Sequence, residues 1–239
     1  MMNILKAIFM KKTIVLFLFY PLCYAYSESE VKVYAYQCIQ KNSGFTSNVN
    51  KSLIEACEIS ASNGHPSSAA HLGYMYLAGS DGLEKSPTIG RKYLELAVKN
   101  PKLDIANKVI ANNILAGMYR DGKGGTTNTK TACRLYNDSA AAIKFAHYFS
   151  TYFALATMYY YGKGCTQNYK LSYFWASLAI AASKTDKDAT TLNINSRITA
   201  AQAMNLLKEY SAEHITTKEI EVLRKKIANW NQTKNIVLL

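Results

Sequence analysis

Three segments of this 239-residue chain repeat one pattern in step: Leu72-Gly73-Tyr74-Met75-Tyr76-Leu77-Ala78-Gly79, Leu115-Ala116-Gly117-Met118-Tyr119-Arg120-Asp121-Gly122 and Leu155-Ala156-Thr157-Met158-Tyr159-Tyr160-Tyr161-Gly162. Tyr76, Tyr119 and Tyr159 stand 43 and 40 residues apart. A period of that size marks a solenoid. One unit is too small to bury its own apolar face, so it stacks on its neighbours. Only 4 prolines and 12 glycines occur, which argues against a turn-dense all-β chain. A 49% hydrophobic content with 18% charged residues excludes wholesale disorder.

Each unit reads as a helical hairpin. Leu72 and Tyr76 are four residues apart and share a helix face. Ala69 and Gly73 are small enough to admit a neighbouring helix, and Gly79, Gly122 and Gly162 stop the first helices. The second helices start at Ser86-Pro87, Asn128 and Asn168, which are N-cap residues. Their inward pairs are Tyr93 and Ala97, Tyr136 and Ala140, and Trp175 and Ala179. A degenerate unit precedes them, with helices predicted over Val31–Gln40 and Val49–Asn63 and a break at Asn63-Gly64. A longer first helix after Asn100-Pro101 opens the middle unit. Two more helices end the chain, one from about Asp188 to Tyr210 and one opened by a Thr216/Glu219 capping box. Ile220, Leu223, Ile227 and Trp230 stripe the last helix, and residues 184–239 read as the terminal cap a solenoid needs.

The N-terminus reads as an address. Lys6, Lys11 and Lys12 precede the apolar run Thr13–Leu22, and the small residue Ala25 follows. That is the layout of a secretory signal peptide over residues 1–25, with Met1 or Met10 as the start. The run is half the ~20 residues of a spanning helix, so no stable membrane span is expected after cleavage. Leu22 before Cys23 is too large for a lipoprotein signal. Periplasmic or secreted residence is therefore expected. Removal of the three lysines leaves +9 of the chain's +12 net charge. A basic balance admits acidic partners, but an exported address makes nucleic acid an unexpected one. Cys38, Cys57, Cys133 and Cys165 remain, an even set with three possible connectivities in an oxidising compartment. Buried free thiols are the alternative reading.

The chain resembles the Sel-one-like repeat family, relatives of the tetratricopeptide repeat. The resemblance rests on Leu72–Gly79, on Met158-Tyr159-Tyr160-Tyr161-Gly162-Lys163-Gly164 and on Asn168–Ala179, and covers roughly Ser52–Ser183. Ser80-Asp81-Gly82 adds a residue to one loop, and Ile143–Tyr148 lacks the usual glycine. The resemblance implies an all-α, α/α superhelical solenoid, here over residues 28–183, that binds a protein partner and shares no catalytic residues or cofactor across the family. It also implies an alternative, an envelope enzyme acting on β-lactam or peptidoglycan amides. Helix phase pairs Cys38 with Cys57 inside one hairpin, because Cys57 takes the place of Tyr93 and Cys38 roughly that of Tyr74 to Tyr76. Cys133 and Cys165 then join neighbouring units.

Chemistry-bearing motifs are sparse. Gly117 to Lys123 nearly spells a phosphate loop, but Gly124 stands where a magnesium-binding hydroxyl belongs. Ser29-Glu30-Val31-Lys32 is a Ser-x-x-Lys with no Lys-Thr-Gly, since Ala132 follows Lys130-Thr131. No Cys/His set has zinc spacing, and His65 reads as a surface turn residue. Tyr76, Tyr119 and Tyr159 read as core. Tyr74, Tyr160 and Tyr161 fall off the inward stripe and read as exposed aromatics. The binding candidates are accordingly His71, Tyr74, Asn113, Arg120, Phe153, Thr157 and Tyr160 on the first helices.

Overall fold

The computed structural model describes residues 26–39, 49–80, 82–142, 149–183, 193–194 and 198–230. Residues 1–25, where a signal peptide is expected, with Cys23, residues 143–148 with His147, Asp81 and part of the helix expected over 188–210 lie outside them. Ten helices are described: α1 (Glu28–Ile39), α2 (Val49–Ser62), α3 (Pro66–Ala78), α4 (Pro87–Lys99), α5 (Ile105–Asp121), α6 (Thr129–Ala142), α7 (Phe149–Tyr161), α8 (Tyr169–Ala182), α9 (Ala200–Ala212) and α10 (Thr217–Asn229). The pairs α1/α2, α3/α4, α5/α6 and α7/α8 form hairpins, while α2/α3, α4/α5 and α6/α7 join successive hairpins. Of the helix expected from Asp188 to Tyr210, the described part runs from Ala200 to Ala212. Before it, Asn193–Ile194 and Ile198–Thr199 pair as a short antiparallel ribbon. Asn, Ile and Thr are weak helix formers beside the Ala-Ala pair at 200–201, which places the boundary there.

The caps follow the local chemistry. Ser86, Asp104, Asn168 and Thr216 each accept from the backbone N–H three residues on, and Asn128 accepts from Thr131. Thr216 and Glu219 complete a reciprocal capping box. His65 is not a bare surface residue. Its ring caps α3, with Nδ1 accepting from the Ser68 N–H at 3.3 Å. Burial pushes its pKa down, favouring the neutral ring that can accept.

Leucine, methionine and small residues carry the packing. Leu72, Leu115 and Leu155 are buried, as are Met75, Met118 and Met158 and the second-helix alanines Ala97, Ala140 and Ala179. At Gly73 and Gly90 the α3 and α4 backbones approach so closely that a Cβ at Gly90 would lie 2.9 Å from the Gly73 carbonyl oxygen. The in-phase tyrosines are not core as expected. Tyr76, Tyr119 and Tyr159 are half-buried, and the hydroxyls of the last two reach polar neighbours. Tyr119 donates to Glu95 at 2.8 Å and Tyr159 to Asn137 at 3.1 Å, each on the second helix of the preceding unit. Tyr76 stacks on Tyr93 at 5.8 Å.

The joints between units share a plan. Counted from N-caps Ser86 and Asn128, Arg91 and Cys133 occupy the same place on α4 and α6. Arg91 lies over the Tyr119 ring at 3.9 Å, pairs with Glu95 at 3.1 Å and donates to the Thr126 carbonyl at 3.1 Å, in the loop after α5. Cys133 is bonded to Cys165, in the loop after α7. A guanidinium cluster thus fastens one joint where a disulfide fastens the next. A second disulfide, Cys38–Cys57, ties α1 to α2.

Candidate interaction surface

Alignment of Tyr76, Tyr119 and Tyr159 sets the first helices in register. Asn113 then matches Phe153, Tyr74 matches Gly117 and Thr157, and Arg120 matches Tyr160. Thr151 of α7 donates to Asn113 of α5 at 2.8 Å, which holds these two helices side by side. Of the seven candidates, Arg120 is exposed, and His71, Tyr74, Asn113, Phe153, Thr157 and Tyr160 are half-buried. The Thr157 hydroxyl turns back onto its own helix, to the Phe153 and Ala154 carbonyls. The Arg120 guanidinium forks onto Asp121 at 2.7 and 2.8 Å, which holds the guanidinium above and the carboxyl below their usual pKa ranges. Phe153 leans on Phe149 at 5.7 Å.

Tyr74 departs from the exposed position expected of it. It packs against both hydrophobic clusters, and its hydroxyl is buried with no hydrogen-bond partner among the described residues. Burial, with the Asp104 charge adding to it, pushes the phenol up to about 12. An unfolded tyrosine titrates near 10. Between those values the folded chain keeps a proton that the unfolded chain has lost, so stability falls as pH rises through that window. Tyr74→Phe is expected to flatten this loss in thermal melts at pH 9 to 11.5. It is also expected to stabilise the neutral-pH fold by roughly 0.5–1 kcal/mol, since it removes an unsatisfied buried hydroxyl.

Two further clusters escape sequence reasoning. Tyr160 meets Tyr161 and Tyr169 edge to face at 5.0 and 5.5 Å, and Tyr169 stacks on His214 at 4.1 Å. The 160–161 pair was visible, but its continuation to His214 needs the fold, because α9 brings that turn back. The second cluster lies on α4. Ile89, Lys92, Tyr93, Leu96 and Lys99, with Tyr76, line a half-open cleft of about 640 Å³.

Ser29 lies on the exposed first turn of α1, with its hydroxyl against that of Ser27 at 3.0 Å. Lys32 pairs with Glu28 at 2.9 Å. Gly117 belongs to a helix, and a Cβ there would lie 3.5 Å from the Tyr136 hydroxyl. Among the described residues, no group of three His, Cys, Asp or Glu side chains could hold a metal. No described helix is long and apolar enough to cross a membrane.

The Sel1 repeat family model matches residues 66–101, 109–142 and 150–184, which contain α3/α4, α5/α6 and α7/α8. No curated protein matches the chain significantly. Among solved structures the chain is similar to a Sel1 repeat protein from Oxalobacter formigenes, at 16% identity and a TM-score of 0.43, over 76% of this chain and 75% of that one. It is also similar to a protective antigen of uropathogenic Escherichia coli with an SLR fold, at 12% identity and a TM-score of 0.41, over 88% of this chain and 49% of that one. Three matched repeats coincide with three stacked hairpins whose leucines, methionines and capping glycines recur in register, and residues 66–184 of the chain carry three Sel1 repeats.

Proposed function

We propose that this chain is an exported scaffold, periplasmic or secreted, that holds a protein partner against its first helices. The array of residues 28–183 presents the surface and residues 184–239 cap it. The contact strip comprises His71, Tyr74, Asn113, Arg120, Phe153, Thr157 and Tyr160. The observation that carries this reading is the side-by-side seating of first helices, with Thr151 bonded to Asn113 across them. A rigid, repeated surface engages a partner without ordering cost, as solenoids do. Export is supported by the two disulfides, since such bonds persist in oxidising compartments. It is supported also by the basic and then apolar N-terminus.

The test places a photocrosslinking residue at Arg120 or Tyr160 in the full chain, expressed in its native cells. The expected result is one dominant protein adduct at both positions and none at the exposed control Lys130, on the second helix α6. Adducts equal at all three positions, or at none, would overturn the assignment of the strip.

A further inference from the structure

The outer face of α4 differs from the rest of the array. Counted from N-caps Ser86 and Asn168, Ile89, Lys92, Tyr93 and Leu96 correspond to Leu171, Phe174, Trp175 and Leu178 of α8. In the last unit all four of those residues are buried, and α9 and α10 pack on α8. Trp230, just beyond α10, stands edge-on to Phe174 and Trp175 at 5.1 and 5.4 Å. In the middle unit three of the four are polar, Thr131, Arg134 and Asp138, with Arg134 bonded to Asp138 at 2.8 Å, and the fourth, Leu135, is buried. The first unit keeps the apolar character without a described covering element. Ile89 is 39% and Leu96 49% exposed, beside the stacked Tyr76–Tyr93 pair.

Charge narrows the occupant. Three ionisable groups besides the tyrosines border the cleft: Lys92, Glu95 and Lys99. The Glu95 carboxylate is engaged by Arg91 at 3.1 Å and by the Tyr119 hydroxyl at 2.8 Å. Among the lining residues the charges left to meet a partner are therefore two lysines seven residues apart along one helix face, and Glu58 of α2 lies near enough to Tyr93 to act on its phenol. We infer that the outer face of α4 docks an acidic amphipathic helix of a partner protein, its apolar residues on Ile89 and Leu96 and its carboxylates on Lys92 and Lys99. The α8 face of the same chain already seats two helices, on apolar residues alone at the equivalent positions. This inference rests on the scaffold reading but uses a surface separate from the first-helix strip.

The test uses the full oxidised chain. The probe is a fluorescein-labelled peptide of the Thr217–Trp230 sequence with Lys218, Arg224, Lys225 and Lys226 replaced by glutamate, and anisotropy reports binding. The expected result is saturable binding that weakens about tenfold or more in Leu96→Glu, the effect of an interface anchor. The double variant Lys92→Glu/Lys99→Glu should weaken it similarly, and the unmodified basic peptide should bind about tenfold less tightly than the acidic one. Both variants change exposed residues, and unchanged far-ultraviolet dichroism confirms their folding. No binding, or equal affinity for both peptides, would overturn the inference. So would concentration-dependent self-association abolished by Leu96→Glu, which would make the occupant a second copy. Photocrosslinks at Arg120 and Tyr160 that persist in Leu96→Glu would keep the strip reading separate from this one.

Discussion

Alanine at Gly164 is expected to destabilise the fold by about 4 kcal/mol, against about 1 kcal/mol for alanine at Gly64. The two glycines share a left-handed backbone, φ +82° and +84°. The cost of that conformation for an L-residue is therefore common to both. Their surroundings differ. A Cβ at Gly64 meets nothing within 4 Å, whereas one at Gly164 overlaps the carbonyl of Thr129, the first residue of α6. Backbone at a helix start cannot retreat as a flexible side chain can. Gly124 meets the Pro87 carbonyl of α4 in the same way, so the second glycine of the Gly-Lys-Gly turn is a spacing device between units. Urea unfolding followed by dichroism measures both variants. Equal losses at the two sites would mean that the loop after α7 does not seat on α6.

Replacing Cys133 and Cys165 together by alanine is expected to cost about 3–4 kcal/mol. The bond closes a loop with a sequence separation of 32, and the unfolded chain loses that constraint when the bond is removed. The first joint answers to different chemistry. Arg91→Met removes a side chain only 9% exposed and strands the partly buried Glu95 carboxylate, at an expected cost of about 2–3 kcal/mol. Reductant should therefore weaken the wild type and the Arg91 variant by similar amounts and leave the double cysteine variant nearly unchanged, apart from the Cys38–Cys57 contribution. Hydrogen exchange localises the effects. Loss of the disulfide should raise exchange first in α6 and α7, and loss of Arg91 first in α4 and α5. Uniform acceleration across all four helices in both variants would contradict independent fastening of the joints.

The hairpins could be read from sequence because their signals are local and repeated. Leu72, Leu115 and Leu155 recur with their methionines, and Ser86-Pro87, Asn168 and the Thr216/Glu219 box announce helix starts by short-range hydrogen bonding. What escaped depends on which unit a side chain reaches. The phased tyrosines looked like core by period, yet the hydroxyls of Tyr119 and Tyr159 cross to Glu95 and Asn137 of the preceding unit and hold those rings at the seam. Nothing in the sequence singles out Arg91, and only its coincidence with Cys133 shows that it closes a joint. Tyr74 looked free because it left the inward stripe of its own hairpin, but the neighbouring unit covers it. The α4 cleft could not be read at all. Its sequence is that of any amphipathic helix until α8 shows the same face filled.

The register of the stacked units is tested most directly by a peptide map of alkylated protein, produced in an oxidising compartment and kept under non-reducing conditions. The account predicts two linked species, Cys38 to Cys57 and Cys133 to Cys165, because only stacked hairpins bring α6 against the loop after α7. Four alkylated thiols, or a Cys57–Cys133 link, would contradict it.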